Sequence, residues 1–203
     1  MSSTPIPTRT RLLEAAIACI EARGYAATTA RDVATAAEAN LASIGYHFGS
    51  MDALLDEALI VATERWIAPL IDAAATSSAL PLRDRLIDGL THFVASLPEH
   101  RHTVSAFFEA MARVERSDRL RARLAAAYDD LRAGVGAVDG GAAGHPDTPA
   151  TDGASAVVAL YDGVLVQWLL DPNRPINAPA MVAALARVVS PAETREAESG
   201  ENR

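Results

Sequence analysis

Apolar and polar residues alternate with the period of a helix along almost the whole chain. Between Arg11 and Arg23, Leu12, Leu13, Ala16, Ile17 and Ile20 recur at helical spacing and share one face. Thr8 or Thr10 can cap the start of this helix, and Gly24 stands where a helix-ending glycine belongs. Thr29-Ala30-Arg31-Asp32 reads as a capping box that opens a short second helix through Ala36. Asn40 can cap a third helix running to His47, Gly49 ends it, and Ser50 caps a fourth at once. The fourth is long, with Leu54, Leu55, Ala58, Leu59, Ala62 and Trp66 on one face, and Pro69 is expected to kink or end it. Pro81 suits the first turn of a fifth helix carrying Leu82, Leu86, Leu90, Phe93 and Leu97.

Two more helical segments are predicted over 100–115 and 118–137, with Ser117 as a cap between them. Gly and Pro dominate residues 134–153, which read as a long flexible loop. An apolar helix from Ala154 to Leu170 follows, stopped by Asp171-Pro172, and a final helix spans Ala178 to Val189. Residues 1–8 read as a loose arm and 191–203 as a disordered tail. The predicted fold is all-α, with about nine helices. A three-helix domain over 1–50 precedes a larger helical domain over 51–190.

Composition agrees with helices. Half of the residues are apolar but only 5% are aromatic, so the core is built from Ala, Leu and Val. Charge is distributed unevenly. Arg9, Arg11, Arg23 and Arg31 are balanced by Glu14, Glu21, Asp32 and Glu38, so the whole net charge of −8 falls after residue 50. A neutral head on an acidic body fits contact with nucleic acid at one end only. The single cysteine, Cys19, excludes an internal disulfide and a cysteine-rich metal site. No run of about 18 uninterrupted apolar residues and no basic-then-apolar leader is found, so a cytoplasmic protein with no membrane partner is expected.

Three short helices followed by a long one suit a helix-turn-helix, with the turn at Ala37-Glu38-Ala39-Asn40. On the third helix, Ile44 and Phe48 lie one turn apart and are expected to face the core. Ala42, Ser43, Gly45 and Tyr46 then face outward, with Leu41 and His47 at the edges. Such a face of small and hydrogen-bonding residues can enter a major groove closely. The stretch from Thr28 to Leu55, with Thr28-Thr29, Arg31-Asp32-Val33-Ala34, Ala37, Tyr46-His47-Phe48 and Leu54-Leu55, resembles the signature of the tetracycline-repressor (TetR-type) family. The resemblance covers about a quarter of the chain, from Arg11 to Leu55.

The resemblance implies an all-helical homodimer that binds double-stranded DNA at a palindromic operator, with a small-molecule effector in the larger domain. It implies phosphate contacts from Thr29 and Arg31, and base-edge contacts from Leu41, Ala42, Ser43 and Gly45. Tyr46 and His47 would hold the DNA backbone, and Asn40, at the head of the same helix, belongs to the DNA-binding set. Three positions depart from the family's pattern. Glu38 stands where the turn usually has Gly, Gly45 where many members have an aromatic residue, and Met51 where a phosphate-binding Lys is common.

The remaining residues hold no enzyme-like constellation. No glycine-rich phosphate loop and no nucleophile elbow is found, and no catalytic residue or cofactor is expected. His100 and His102 are two residues apart, a poor spacing for one helix face, so no metal site is expected. Trp66, Phe93, His102, Phe107, Phe108, Met111, Tyr128 and Trp168 are the candidates for a ligand pocket, with Glu109 nearby. The penultimate helix is apolar on more than one side. Val157, Leu160, Tyr161, Val164 and Trp168, with Met181, Leu185 and Val188 on the last helix, are the candidate dimer interface. The function expected is a ligand-responsive transcriptional regulator, a repressor; the alternative is a helical small-molecule-binding or interaction protein with a degenerate DNA-binding head.

Overall fold

A computed structural model describes residues 6–76, 80–138 and 150–189. Among these residues the chain forms nine α-helices and no strand. They are α1 (Thr8–Arg23), α2 (Ala30–Ala36), α3 (Ala42–Phe48), α4 (Met51–Thr76), α5 (Leu82–Ser96), α6 (Arg101–Met111), α7 (Asp118–Val138), α8 (Ala150–Leu170) and α9 (Ala178–Val189). A single 3-10 turn, Val114–Arg116, joins α6 to α7.

Most helix ends follow from local chemistry. Gly24 ends α1 with φ 85°, and its N–H donates to the Ile20 carbonyl at 2.8 Å. The Ser50 hydroxyl accepts from the Ala53 N–H at 3.0 Å at the start of α4, and Ser117 does the same for Leu120 at 3.2 Å. The start of α1 differs from expectation: Pro7 leads into it in an extended conformation, and no threonine caps it. Pro69 does not end α4, which continues to Thr76.

Both ends of the expected loop over 134–153 are helical instead. α7 runs through Gly134 and Gly136 to Val138, and α8 already begins at Ala150. Residues 139–149 lie outside the described residues, as do the expected tail over 191–203 and the first five residues of the arm. The reason at Gly134 is packing. A Cβ there would lie 3.3 Å from Ile71 Cδ1, so the glycine lets α7 approach α4 closely. That contact offsets a helix-propensity cost of about 1 kcal/mol.

Two cores hold the helices together. The first joins Leu12, Ile20, Val33, Ile44 and Phe48 to Leu54, Ala58 and Leu59 of α4, and to Ala106, Ala110 and Leu120 beyond. The head is thus packed on α6 and α7 as well as on α4. The second joins Trp66, Leu90, Phe93 and Val104 to Val164, Trp168 and Val182. α8 is long and apolar enough to cross a membrane by length and composition, with a mean hydropathy of 1.5 over Asp152–Leu170. Of that window 28% is buried within the chain, Val158, Val164, Leu165 and Trp168 among it, and Asp162 sits mid-helix, bonded to Tyr128.

Candidate nucleic-acid interface and body cavity

The helix-turn-helix is built by local hydrogen bonds. Thr29 Oγ1 accepts from the Asp32 N–H at 3.2 Å, and Asp32 Oδ2 accepts from the Thr29 N–H at 3.2 Å, which closes the capping box. The Thr29 hydroxyl also donates to Asp32 at 2.6 Å, and Arg23 pairs with Asp32 at 3.0 Å. These two partners, Thr29 first, hold the Asp32 carboxyl below the usual aspartate range. At the far end of α2, the Ala39 N–H donates to Ala34 O at 2.9 Å and the Glu38 N–H to Thr35 O at 3.1 Å. This is a Schellman ending, and it forces Glu38 into the left-handed region at φ 49°. The departure noted at Glu38 therefore falls on the one non-glycine residue with positive φ among those described.

Asn40 then opens α3. Its Oδ1 accepts from the Ser43 N–H and the Ser43 hydroxyl, both at 2.9 Å. Ile44 and Phe48 are buried, as their spacing predicts. Leu41, Ala42, Gly45 and Tyr46 are exposed, Tyr46 by 86%, while Ser43 and His47 are half-buried. The His47 ring meets the Tyr46 ring edge-on at 4.8 Å. Thr29 and Arg31 are exposed at the start of α2, and Arg31 makes no ion pair among the described residues. Thr29, Arg31 and the residues Leu41, Ala42, Gly45 and Tyr46 all face solvent. Met51 is half-buried against the head's core, so that position is occupied by packing and not by a free cation.

Sequence reasoning missed the ties between head and body, because their partners are far apart in the chain. Tyr25 Oη donates to Asp56 Oδ1 at 2.8 Å, and Arg113 Nη1 reaches both Tyr25 Oη and Asp56, the latter at 3.2 Å. Burial, then the neighbouring Asp56, pushes the Tyr25 hydroxyl well above the ordinary tyrosine range. His102 Nδ1 lies 2.7 Å from the Glu21 carbonyl oxygen at the end of α1. Arg65 makes a bidentate pair with Glu14 at 2.7 and 2.6 Å.

The body holds a cavity of about 420 Å³ between α4, α5, α6, α7 and α8. Of the candidate pocket residues, Trp66, Phe93, Phe107 and Tyr128 line it. The others do not. His102 turns to α1, Met111 is exposed, Phe108 packs on the second core, and Trp168 is buried in that core beneath Arg101. Glu109 is exposed and lies off the cavity. Residues missed by the sequence reading include Asp162, whose two oxygens lie 3.1 and 3.0 Å from Tyr128 Oη. Burial raises the Asp162 carboxyl above its ordinary pKa, and the Tyr128 hydrogen bond only partly opposes this.

His92 and His100 each turn a ring nitrogen to a carbonyl on their own helix, at 2.8 and 3.0 Å. Among the described residues, no three acidic, histidine or cysteine side chains converge as metal ligands.

Most of the candidate dimer residues face inward. Val164 is 1% and Trp168 5% exposed, Val157 and Tyr161 line the cavity, and Leu160 and Met181 pack on the second core. Leu185 and Val188 are exposed. The exposed stripe on α8 is a different one: Ala156, Ala159, Val166 and Leu170, with half-buried Gly163 between them.

Residues 12–58 match the family model described as bacterial regulatory proteins of the tetR family. Residues 82–191 match that of the BetI-type transcriptional repressor C-terminal region. No curated protein matches the chain. Among solved structures, the multidrug binding protein EbrR complexed with proflavin is 27% identical, with a TM-score of 0.67 over 90% of this chain and 100% of that one. A putative transcriptional regulator from Rhodococcus sp. RHA1 is 20% identical, with a TM-score of 0.72 over 90% and 96%. Another, from Pseudomonas aeruginosa PAO1, is 21% identical, with a TM-score of 0.66 over 89% and 88%. The last two show likeness of fold alone.

Proposed function

This chain belongs to the tetR family of bacterial regulatory proteins, and within that family we propose that it is a repressor whose dimer binds a palindromic operator and leaves it when a small molecule fills the body cavity. Membership makes it a DNA-binding transcriptional regulator and not an enzyme. The observation that carries the proposal is the outer side of α3. Leu41, Ala42, Gly45 and Tyr46 project from a short helix whose inner side is fixed by Ile44 and Phe48. Two such helices, about one DNA turn apart in a two-fold dimer, would enter successive major grooves.

In this reading Thr29 and Arg31 hold phosphates, Leu41, Ala42, Ser43 and Gly45 approach base edges, and Tyr46 and His47 clasp the DNA backbone. Asn40 acts one step back, by fixing the start of α3. Pairing uses the exposed stripe of α8, Ala156, Ala159, Val166 and Leu170, with Leu185 and Val188 of α9. EbrR, of the same fold, is a multidrug binding protein crystallised with proflavin, which supports a small molecule in the corresponding part of this chain.

Selection of bound duplexes from a random pool tests the proposal. The expected product is a two-fold symmetric site whose affinity falls with salt. Retention of the fold with no salt-dependent DNA binding would reject it in favour of a ligand-binding protein with a degenerate head.

A further inference from the structure

The body cavity is walled mainly by apolar and aromatic side chains, among them Trp66, Phe93, Phe107 and Tyr161. Its volume of about 420 Å³ suits a drug-sized occupant. One group contradicts this apolar character. Asp162 stands in the middle of α8, half-buried, on the cavity wall. Among the described residues its side chain bonds to the Tyr128 hydroxyl, which lies almost equally far from both carboxylate oxygens, at 3.1 and 3.0 Å. A phenol has one proton to donate, while an ionised carboxylate offers about four acceptor positions. Among the described residues no cationic side chain pairs with Asp162.

The surroundings repeat that sign. Glu64 and Asp130, both exposed, also line the cavity. Arg85 is the one basic residue in the lining among the described residues, and it has interactions of its own. The Tyr161 hydroxyl abuts Gly89, where a Cβ would come within 2.8 Å of it. Burial pushes the Tyr161 pKa up to about 12, so that wall stays neutral. Aromatic faces attract cations, and a carboxylate without a counter-charge in an apolar setting is costly. An anion entering here would meet three carboxylates against one arginine, and a neutral hydrocarbon would leave Asp162 uncompensated.

We infer that the cavity takes a bulky lipophilic organic cation, with its positive centre against the Asp162 carboxylate and its apolar groups against the aromatic walls. This rests on the cavity being the effector site of the proposed regulator, and it names the class of effector. The carboxylate fixes the sign of the charge, and the apolar walls reward bulk.

Tetraphenylphosphonium and tetraphenylborate test it, because they share shape and size and differ in sign. Calorimetric titration of the full chain should show the phosphonium binding roughly tenfold tighter or more, the equivalent of one favourable charge contact. Asp162→Asn should weaken phosphonium binding by about the same factor and narrow the preference, while Asp162→Glu should retain it. Equal or tighter binding of the borate, binding of neither ion, or an Asp162→Asn variant that binds the phosphonium like the parent overturns the inference. Should that variant fail to fold, the comparison of the two ions on the parent chain still decides. Titration needs no DNA, so a parent that prefers the phosphonium but selects no duplex would sink the regulator reading alone. Specific DNA binding with a preference for the borate would sink this inference alone.

Discussion

Glu38 and Gly45 sit seven residues apart in the head, and each occupies the conformation that would suit the other better. The Schellman ending of α2 requires a left-handed residue, and Glu38 supplies it at φ 49°. A side chain with a Cβ pays about 1 kcal/mol or more there, and glycine does not. Glu38→Gly should therefore raise stability by about 0.5 kcal/mol or more after its extra unfolded-state entropy is subtracted. Urea denaturation checks this as a higher midpoint at unchanged slope. Gly45 is the converse. It lies within α3, and a Cβ there would meet nothing within 4 Å, so no contact inside the protein demands glycine. Gly45→Ala should stabilise the free protein by up to about 1 kcal/mol. The same change should weaken operator binding, because the added methyl stands on the face proposed to approach the bases. Melting and DNA titration of this one variant separate the two effects, and unchanged affinity would remove close approach as the role of Gly45.

The elements differ in how far the sequence alone exposes them. The caps of α2 and α3 are legible because donor and acceptor lie three residues apart: Thr29 with Asp32, Asn40 with Ser43. Helix α8 is legible as a helix but not in its orientation. Its apolar residues cover most of its surface, and the helices packed around it, α4 to α7 and α9, decide which side turns inward. Val164 and Trp168 are spent on the chain's own core, and the smaller stripe of Ala156, Ala159, Val166 and Leu170 is left outside. Small residues on that stripe permit close approach by a second copy. Gly134 misled in the opposite sense: it reads as loop, yet it serves contact with Ile71, a partner 63 residues earlier. The pairing proposal gives a direct prediction. Ala159→Glu places a charge on the stripe without disturbing the core, since Ala159 is exposed. Sedimentation should then show a monomer where the parent is a dimer. Its melting profile should lose only what dimer formation adds, and affinity for a full palindrome should fall towards that for a half-site.

At the scale of the whole molecule, α6 lines the cavity and also touches α1 of the head. Thr103, Val104 and Phe107 line the cavity. On the same helix His102 meets the Glu21 carbonyl of α1, and just beyond it Arg113 binds Tyr25 and Asp56 and lies 3.7 Å from Asp52. Coupling between a ligand and DNA needs an element whose placement affects both sites, and a shift of α6 would be felt at the turn that leads into α2. Two arginines allow magnitudes to decide whether this link matters. Arg65 and Glu14 form a well-aligned pair, but their side chains are 53% and 47% exposed, and such pairs contribute about 1 kcal/mol or less. The Asp56 side chain is only 13% exposed, and its bonds to Arg113 and Tyr25 form one network. Removing the cationic member of such a network costs about 2 kcal/mol. In a chain of this length that corresponds to a Tm lowered by about 4–8 °C. Arg113→Ala should show this loss, with faster amide exchange at Thr28, whose N–H is bonded to the Tyr25 carbonyl. It should also weaken DNA binding, because α2 and α3 are then held less firmly on α4. Arg65→Ala should change Tm by no more than a few degrees and leave DNA affinity intact. Equal effects from the two substitutions would mean that the head is held by general packing, and that Arg113 has no special part in carrying the signal from the cavity.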